Sequence, residues 1–325
     1  MRAARCLAHG PPENVSVEEI DDPVPGPDQV VVDVAAAAVN FPDVLIVADQ
    51  YQWHVDVPFI PGSEFAGTVA QVGDRVTTLS PGDPVMGASL VGAFAERVGV
   101  AARSLEKVPP GVDLRSAAAF GVAHRTAYHA LRSVAGVAPG QWVVVLGAAG
   151  GVGLAAVEIG VLLGARVLAA ASSPEKLALC EATGAEALVD YSTEDLKTRI
   201  KEITGAGADV VVDPVGGAYS EQALRSTRFG GHFVVVGFAS GEIPRIPLNL
   251  VLLKGPIVTG FTMEGFTTNR PDDEARDRRE LLEHLAAGRL RPHISAVYPL
   301  GDVAKGLRDV AERRAMGKVV IEPYA

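Results

Sequence analysis

The sequence predicts an α/β protein built from a doubly wound parallel sheet and a second, β-rich domain. Three observations carry this prediction. A glycine-rich turn at 147–153 joins an apolar run to a helical segment, strands and helices alternate regularly after about Ser116, and short valine-rich segments separated by Pro and Gly precede that point. A chain of 325 residues that is 48% hydrophobic suits about two globular domains.

The first third of the chain favours short antiparallel strands. Turn signals rich in Pro, Gly and Asp separate the apolar runs, and Pro109-Pro110-Gly111 closes the region. The strands are expected at 30–34, 67–72 and 97–100. This pattern is typical of a compact, mostly antiparallel β domain.

The middle of the chain alternates between strand and helix, as a parallel sheet requires. Strands are expected at 142–147, 165–171, 186–189, 209–213 and 231–237, with helices at 150–163, 174–183, 193–203 and 219–227. A further strand is expected at 257–261. The tail adds a charged helix at 272–287, two short strand candidates and a second helix at 302–314, and it ends in the segment 317–321.

Composition narrows the function classes. The net charge of -10 argues against general binding to nucleic acid or to anionic membranes. No apolar segment reaches the roughly 18 residues that a membrane span needs, and no signal peptide is visible, so we expect a cytoplasmic protein. The only two cysteines, Cys6 and Cys180, exclude a disulfide framework and a multi-cysteine zinc lobe.

The glycine-rich turn predicts a dinucleotide site. Val143–Leu146 reads as a strand and Leu154–Leu163 as a helix, and the turn between them contains Ala149, Gly150, Gly151, Val152 and Gly153. A side chain at the second glycine would block the cofactor's pyrophosphate, and the helix N-terminus offers free N–H groups to it. The alternative is an ordinary strand-to-helix turn, since Ala148 stands at the first glycine position.

The end of the next strand favours NADPH over NADH. An NAD-preferring site places an acid there to bind the ribose hydroxyl, but this chain has Ala171, followed by Ser172, Ser173 and, one turn on, Lys176. Hydroxyls and a cation suit a 2′-phosphate. The alternative, that the serines only cap the helix and the lysine is solvated, is compatible with phosphate binding.

Two segments show a family resemblance. Gly62-Ser63-Glu64-Phe65-Ala66-Gly67 has Ser63 where zinc alcohol dehydrogenases have a zinc-binding His, and Ala38-Val39-Asn40-Phe41-Pro42-Asp43 lacks their zinc-binding Cys. The chain resembles the zinc-free quinone oxidoreductase (zeta-crystallin-like) branch of the medium-chain dehydrogenase/reductase superfamily. The resemblance implies a GroES-like catalytic domain at 1–121 completed by 265–325, a Rossmann domain at 122–264, and no metal.

The resemblance also implies catalytic residues. Asn40 matches an active-site Asn that binds a substrate carbonyl or the nicotinamide ribose, although it could simply shape a turn. Tyr51 matches a substrate-pocket Tyr, a hydrogen-bond donor or only an aromatic wall. Thr126 matches a Thr near the cofactor, or a residue that starts a helix. A second pocket Tyr of the family is replaced by Leu45.

Further cofactor contacts are implied in the same way. Lys176 and Tyr191 match residues that hold the 2′-phosphate in NADPH-dependent relatives, and Gly237 and Phe238 end a strand beside the nicotinamide. Lys318 is expected to reach the cofactor phosphates or to be solvated. Asp43 and Glu64 are expected to be structural, and the seven histidines show no ligand spacing, with His124 the one near the expected cleft.

The function implied is hydride transfer from NADPH to a quinone or an α,β-unsaturated carbonyl, without metal. Two alternatives stay open: an enoyl-CoA reductase of the acryloyl-CoA type, with Arg245, Arg270 or Arg291 near a CoA tail, and a non-catalytic NADPH-binding protein. The resemblance further implies a homodimer that pairs strands around Ile257–Phe261, since an apolar edge strand needs cover.

Overall fold

The computed structural model describes residues 1–325 and divides into two compact units, Met1–Val122 with Arg291–Ala325, and Ala123–Leu290. The first division lies one residue from the expected position. The chain returns to the first unit at Arg291 and not at 265, because the segment before it packs within the second unit: Phe266 and Leu281 are buried, and the buried Asp277 carboxylate bonds to His129.

Fifteen strands are present. They are β1 (Arg2–Cys6), β2 (Val15–Glu19), β3 (Gln29–Val39), β4 (Glu64–Val72), β5 (Pro84–Ala88), β6 (Arg97–Ala101), β7 (Leu105–Lys107), β8 (Trp142–Leu146), β9 (Arg166–Ala171), β10 (Ala187–Asp190), β11 (Ala208–Asp213), β12 (Thr227–Val235), β13 (Ile257–Gly260), β14 (Ile294–Pro299) and β15 (Lys318–Glu322).

Ten α-helices connect these strands. They are α1 (Phe41–Val47), α2 (Leu114–Tyr128), α3 (Gly151–Leu162), α4 (Pro174–Ala182), α5 (Leu196–Thr204), α6 (Ala218–Leu224), α7 (Leu248–Lys254), α8 (Met263–Asn269), α9 (Pro271–Ala286) and α10 (Val303–Ala311). A π-helical turn at His129–Val134 continues α2, and 3-10 turns lie at Pro12–Asn14, Ala102–Ser104 and Leu300–Asp302. No helix combines the length and the apolar character needed to cross a membrane.

A seven-stranded sheet and the β1–β2 hairpin form the first unit. The strand order is β14-β15-β3-β4-β5-β7, and β6 pairs with β3. All pairs in this sheet are antiparallel except β14 with β15. The C-terminal segment completes the core, since Leu307 of α10 and Ile321 of β15 pack with Val32 and Phe65. The returning chain therefore places β15 directly beside β3.

A six-stranded parallel sheet forms the centre of the second unit, in the order β10-β9-β8-β11-β12-β13. Every pair is parallel, and β8 is buried along its whole length. The predicted doubly wound sheet is confirmed. The order reverses between β8 and β11, which is where such sheets leave a crevice at their carboxyl edge.

Element bounds in the second unit agree with the sequence to within a few residues, except that β12 begins at Thr227 and not at 231. The sequence pattern missed four helices, α1, α2, α7 and α8. Helix α2 is rich in Ala and largely buried, so its pattern lacks a polar face, and the other three have only seven residues each.

Candidate functional site

Three neighbouring strands bring a group of polar side chains to one end of the first unit's sheet. Asn40 directly follows β3, Glu64 begins β4 and Lys318 begins β15. Because β3 pairs antiparallel with both neighbours, Ala38 opposite Glu64 and Val39 opposite Val319, these positions meet at the same edge. Their side chains, together with Ser63 and Asp43, form what we call the Asn40 cluster.

A buried ion pair lies at the centre of the Asn40 cluster. The Lys318 ammonium donates to Glu64 Oε2 at 2.9 Å and to Asn40 Oδ1 at 2.6 Å. Both charged side chains are less than 5% exposed. The other Glu64 oxygen accepts the backbone N–H of Val122 at 2.6 Å. Lys318 was expected to reach cofactor phosphates or solvent; its burial and its two short contacts hold it here instead.

The ion pair fixes the orientation of the Asn40 amide. An ammonium only donates, so the amide oxygen faces Lys318 and the amide nitrogen faces Glu64 Oε2, at 3.1 Å. Asn40 also caps α1, and its backbone N–H donates to Asp43 Oδ2 at 2.7 Å. Both readings of Asn40, as a turn-shaping residue and as a polar group held ready for a ligand, are compatible with this geometry.

Asp43 is a buried carboxyl with one unpartnered oxygen. Burial raises its pKa to about 7, against the opposing effects of the Asn40 N–H, the Ser63 hydroxyl and the Lys318 charge. The second oxygen, Oδ1, has no hydrogen-bond partner. The carboxyl therefore holds its proton up to near-neutral pH in the folded protein.

Tyr51 lies beyond the other end of α1, in the loop that follows it. Its ring packs partly buried against the core of the first unit and meets Trp53 edge-on, with ring centroids 5.6 Å apart. Asn40 and Tyr51 thus flank one short helix. Whether Tyr51 donates a hydrogen bond to a substrate or only forms a wall stays a prediction.

The glycine-rich turn lies at the carboxyl edge of the parallel sheet. It joins β8 to α3, and Gly150 is the N-cap of this helix. The first hydrogen bond of the helix runs from the Leu154 N–H to the Gly150 carbonyl oxygen. A Cβ at Gly153 would meet Gly147 O at 2.2 Å, so a glycine is required for this close helix–strand approach. The N–H groups that open α3 are left for an anion, as in dinucleotide sites.

The end of β9 presents hydroxyls and a cation and no carboxylate. The strand ends at the buried Ala171, Ser173 caps α4 by accepting the N–H of Lys176 at 3.4 Å, and the Lys176 ammonium lies 3.3 Å from Ser172 Oγ. Ser173 therefore caps the helix, as one reading expected, while Ser172 and Lys176 converge on one point that suits a phosphate.

An aromatic pair adjoins that point. Tyr191 follows β10, and its backbone N–H donates to Ala171 O at 3.1 Å, so it emerges beside Ser172. Its ring lies against that of Tyr219, with centroids 4.2 Å apart. Tyr219, on α6, could not be related to Tyr191 from the sequence, because the two tyrosines are 28 positions apart and only the tertiary structure brings them together.

The ends of β11 and β12 complete this edge. The Asp213 carboxylate holds the turn after β11 by accepting the N–H groups of Val215 and Gly216 and the hydroxyl of Ser220. Gly237 lies next to it, its N–H 3.3 Å from Asp213 O. Phe238 packs so close to Gly216 that a Cβ added at Gly216 would lie 2.9 Å from the Phe238 ring.

The remaining expected residues lie on α2. Thr126 is half-buried in the second unit and does not start a helix, since α2 begins at Leu114. His124 is buried, with Nε2 3.0 Å from the Glu158 carboxylate on α3. His124 thus ties two helices together. The Asn40 cluster thus belongs to the first unit, and the carboxyl edge of the parallel sheet belongs to the second.

Comparisons with known proteins place the chain in a family. Residues 26–110 match the model of the alcohol dehydrogenase GroES-like domain, and residues 151–283 match that of the zinc-binding dehydrogenases. These two matches coincide with the two kinds of sheet described above and confirm the expected fold.

Two curated relatives align over nearly the full length. A quinone oxidoreductase-like protein 2 homolog of Nematostella vectensis is 37% identical, covering 98% of this chain and 88% of the relative. A human quinone oxidoreductase is 30% identical, covering 99% and 97%. Among solved structures, an Escherichia coli quinone oxidoreductase complexed with NADPH superposes with a TM-score of 0.93 at 28% identity, covering 99% of this chain and 100% of that one.

Replacing Lys318 by Met should destabilise the protein by about 3 kcal/mol, because it leaves the Glu64 carboxylate buried without its cation. The double variant Lys318→Met/Glu64→Gln should recover most of this loss. Urea unfolding measures both. Lys305→Met is the matched control, since its ion pair with Asp302 has the same 2.9 Å separation but lies on the surface. Equal losses in Lys318→Met and Lys305→Met would contradict the prediction.

Asp43→Asn should gain stability relative to the parent as pH rises. The folded pKa of about 7 lies above the unfolded value of 3.8, so unfolding releases a proton between those values. The free energy of unfolding of the parent therefore falls by up to ~1.4 kcal/mol for each pH unit in that range. Unfolding at about pH 5 and about pH 8 measures the change, with the exposed cap variant Asp195→Asn as control. A parent-to-variant difference that is the same at both pH values would refute the raised pKa.

Proposed function

The chain belongs to the quinone oxidoreductase branch of the medium-chain dehydrogenase/reductase superfamily, and from this premise we propose that it transfers hydride from NADPH to a quinone or an α,β-unsaturated carbonyl without a metal. The observation that carries the proposal is the composition of the carboxyl edge at the end of β9. It offers Ser172, Lys176 and Tyr191 and lacks the acid that would bind a ribose hydroxyl.

The carboxyl edge fits NADPH in each of its parts. The start of α3 offers backbone N–H groups for the pyrophosphate, with Gly150, Gly151 and Val152 at the approach. Ser172 and Lys176 suit the 2′-phosphate, and the Tyr191–Tyr219 pair offers an aromatic surface for the adenosine.

When bound, NADPH supplies the hydride, and the protein supplies orientation and electrostatics. Within the Asn40 cluster, Lys318 holds the Asn40 amide in one orientation, so this amide is pre-organised to bind a carbonyl or a ribose hydroxyl. Tyr51, anchored on the core, would donate to the oxygen that becomes negative as the acceptor is reduced. The final proton comes from solvent.

The donor set of the Asn40 cluster does not suit zinc. Catalytic zinc sites use three ligands from Cys, His and carboxylates. Here Asn40 and Ser63 occupy the two segments where zinc-dependent relatives carry their Cys and His, which leaves the carboxyls of Glu64 and Asp43 as the remaining zinc-type groups of the cluster. The Lys318 ammonium, 2.9 Å from that carboxylate, already supplies the positive charge. We therefore propose a metal-independent reaction at this cluster.

Reduction of a CoA thioester is the second candidate. Arg245, one of three arginines considered for a CoA tail, lines an open depression of about 400 Å³ with Arg225 and Glu221. Arg225 pairs with Glu221 at 2.7 Å, however, and Arg270 pairs with Asp273 at 2.6 Å. Much of the positive charge is thus already neutralised, which favours a small uncharged acceptor.

We also propose a homodimer formed through β13 and α7. β13 is an edge strand of the parallel sheet, and its Ile257 and Val258 are exposed. Nearby on α7, Leu248, Leu252 and Leu253 are each more than 70% exposed. An apolar edge strand beside an exposed leucine face is typical of a surface covered by a second copy.

Lys176→Ala combined with Tyr191→Phe should raise the KM for NADPH at least tenfold and change that for NADH much less, because the lost contacts are charge-assisted bonds to the 2′-phosphate. Steady-state kinetics with both cofactors measure the effect. Lys201→Ala, an exposed lysine on α5, is the control. An equal loss with NADPH and NADH would show that the 2′-phosphate is held elsewhere.

Purified protein should oxidise NADPH in the presence of simple quinones or small enones, and zinc chelation should leave the rate unchanged. A panel that adds short enoyl-CoA thioesters and uses NADH as cofactor control tests this. A strong preference for a CoA thioester would favour the second candidate. Tight NADPH binding without turnover of any acceptor would indicate a non-catalytic binding protein.

Leu252→Asp should convert the dimer into a folded monomer, because an exposed monomer surface tolerates the charge and a buried apolar interface does not. Light scattering coupled to size-exclusion chromatography measures the mass. Val24→Asp, at an equally exposed valine in the first unit, is the control. A parent protein that is already monomeric at micromolar concentration would reject this dimer.

A further inference from the structure

A second polar cluster lies in the first unit, outside the Asn40 cluster. It consists of His9, in the turn after β1, and of Asp49 and His54, in the loop after α1. One potential ligand atom from each residue lies within 4.8 Å of the other two. These two histidines show no ligand spacing in the sequence, because 45 positions separate them and the fold alone brings the two segments together.

His9 is the unusual member of this cluster. Both of its ring nitrogens are buried, and neither has a hydrogen-bond partner. A neutral imidazole has one donor and one acceptor nitrogen, and burying both without partners is costly. The centroids of the His9 and His54 rings lie 5.3 Å apart. A second side chain that can bind a metal therefore adjoins the ring with the unpartnered nitrogens. A ligand that accepts an imidazole lone pair would remove this cost.

The backbone holds the two segments together. Gly10 N–H donates to Val47 O at 2.9 Å, which fastens the turn of His9 to the end of α1. Asp49 then adopts a left-handed conformation with φ of 55°, which side-chain-bearing residues seldom adopt. In that conformation its carboxylate reaches His54 Nδ1 at 2.7 Å, and His54 Nε2 lies 3.4 Å from Asp56. Two imidazoles and one or two carboxylates are thereby assembled on one side of the loop.

We propose that His9, Asp49 and His54 bind a divalent transition-metal ion of the zinc type, with Asp56 or water as the fourth ligand. Two imidazoles and a carboxylate suit zinc, cobalt or nickel, whereas magnesium and calcium prefer oxygen ligands alone. Ligand atoms around a tetrahedral zinc lie roughly 3.3 Å apart. The Asp49–His54 hydrogen bond opens on binding, which the exposed His54 side chain permits by rotation.

The metal would join the turn after β1 to the loop that carries Tyr51, since Tyr51 lies between Asp49 and His54 in the chain. The proposal does not depend on the proposed hydride transfer, because it concerns binding and the stability of this loop. A protein without reductase activity could still bind the ion, and an active reductase could lack it.

Zinc titration of metal-stripped protein without a histidine tag tests the proposal. Calorimetry should show one zinc per chain, and cobalt should give visible absorption bands typical of a four- or five-coordinate site. His54→Ala should weaken zinc binding at least about tenfold. His293→Ala, an exposed histidine of the same unit outside the cluster, is the matched control and should bind as the parent does.

Stability provides a second readout. Zinc should raise the melting temperature of the parent and of His293→Ala, and should leave that of His54→Ala unchanged, because a ligand that binds only the folded state stabilises it. His54 is 60% exposed, so His54→Ala is expected to fold. Asp49→Asn, which keeps a hydrogen-bond acceptor, should also lose the zinc effect. No zinc uptake by the parent, or equal uptake by His54→Ala, would show that the cluster is only an ion pair.

Discussion

The buried pair of Lys318 and Glu64 is the interaction on which the first unit's site depends. Two charges are removed from water there, and removing either side chain would leave the other buried without a counter-ion. The pair joins three adjacent strands at one end of the sheet and closes the unit, because Lys318 comes from the C-terminal segment and Glu64 from the first third of the chain. Everything else in the cluster follows from it: the ammonium sets the orientation of the Asn40 amide, and Asn40 sets the start of α1. A single lysine therefore connects the closure of the fold to the geometry of the candidate active site.

The parallel sheet constrains the second unit in a comparable way. Parallel strands place all their carboxyl ends on one edge, so five loops that are remote in sequence converge. The order reversal between β8 and β11 opens the crevice where the glycine-rich turn lies. Ser172 and Tyr191 become neighbours because they directly follow the paired ends of β9 and β10. The same topology leaves β13 as an edge, which is why the surface proposed for dimer formation lies on this unit.

The buried polar residues of the first unit differ in what offsets the free-energy cost of their burial. Glu64 and Lys318 neutralise each other, burial raises the pKa of Asp43 to about 7, and Ser63 lies beside the Asn40 amide. His9 alone keeps two buried nitrogens without partners. This contrast distinguishes the second cluster from the first. In the Asn40 cluster the buried charges are paired within the protein, whereas in the cluster of His9, Asp49 and His54 two buried ring nitrogens lack partners that a cation would supply.

The sequence by itself determined the architecture and the group of residues at the end of β9. Strand–helix alternation and the glycine-rich turn gave the parallel sheet with bounds correct to a few residues, and Ala171, Ser172 and Lys176 are close enough in the chain for local reasoning to relate them. Tertiary structure alone decided the rest. It moved the return to the first unit from 265 to Arg291, placed Lys318 in the Asn40 cluster instead of on a phosphate, paired Tyr191 with Tyr219 and brought His9 to His54. The physical reason is one of range. Periodicity and turn chemistry act over a few residues, whereas the partner of a buried charge or an imidazole is selected by which distant strands and loops the packing of the core makes adjacent.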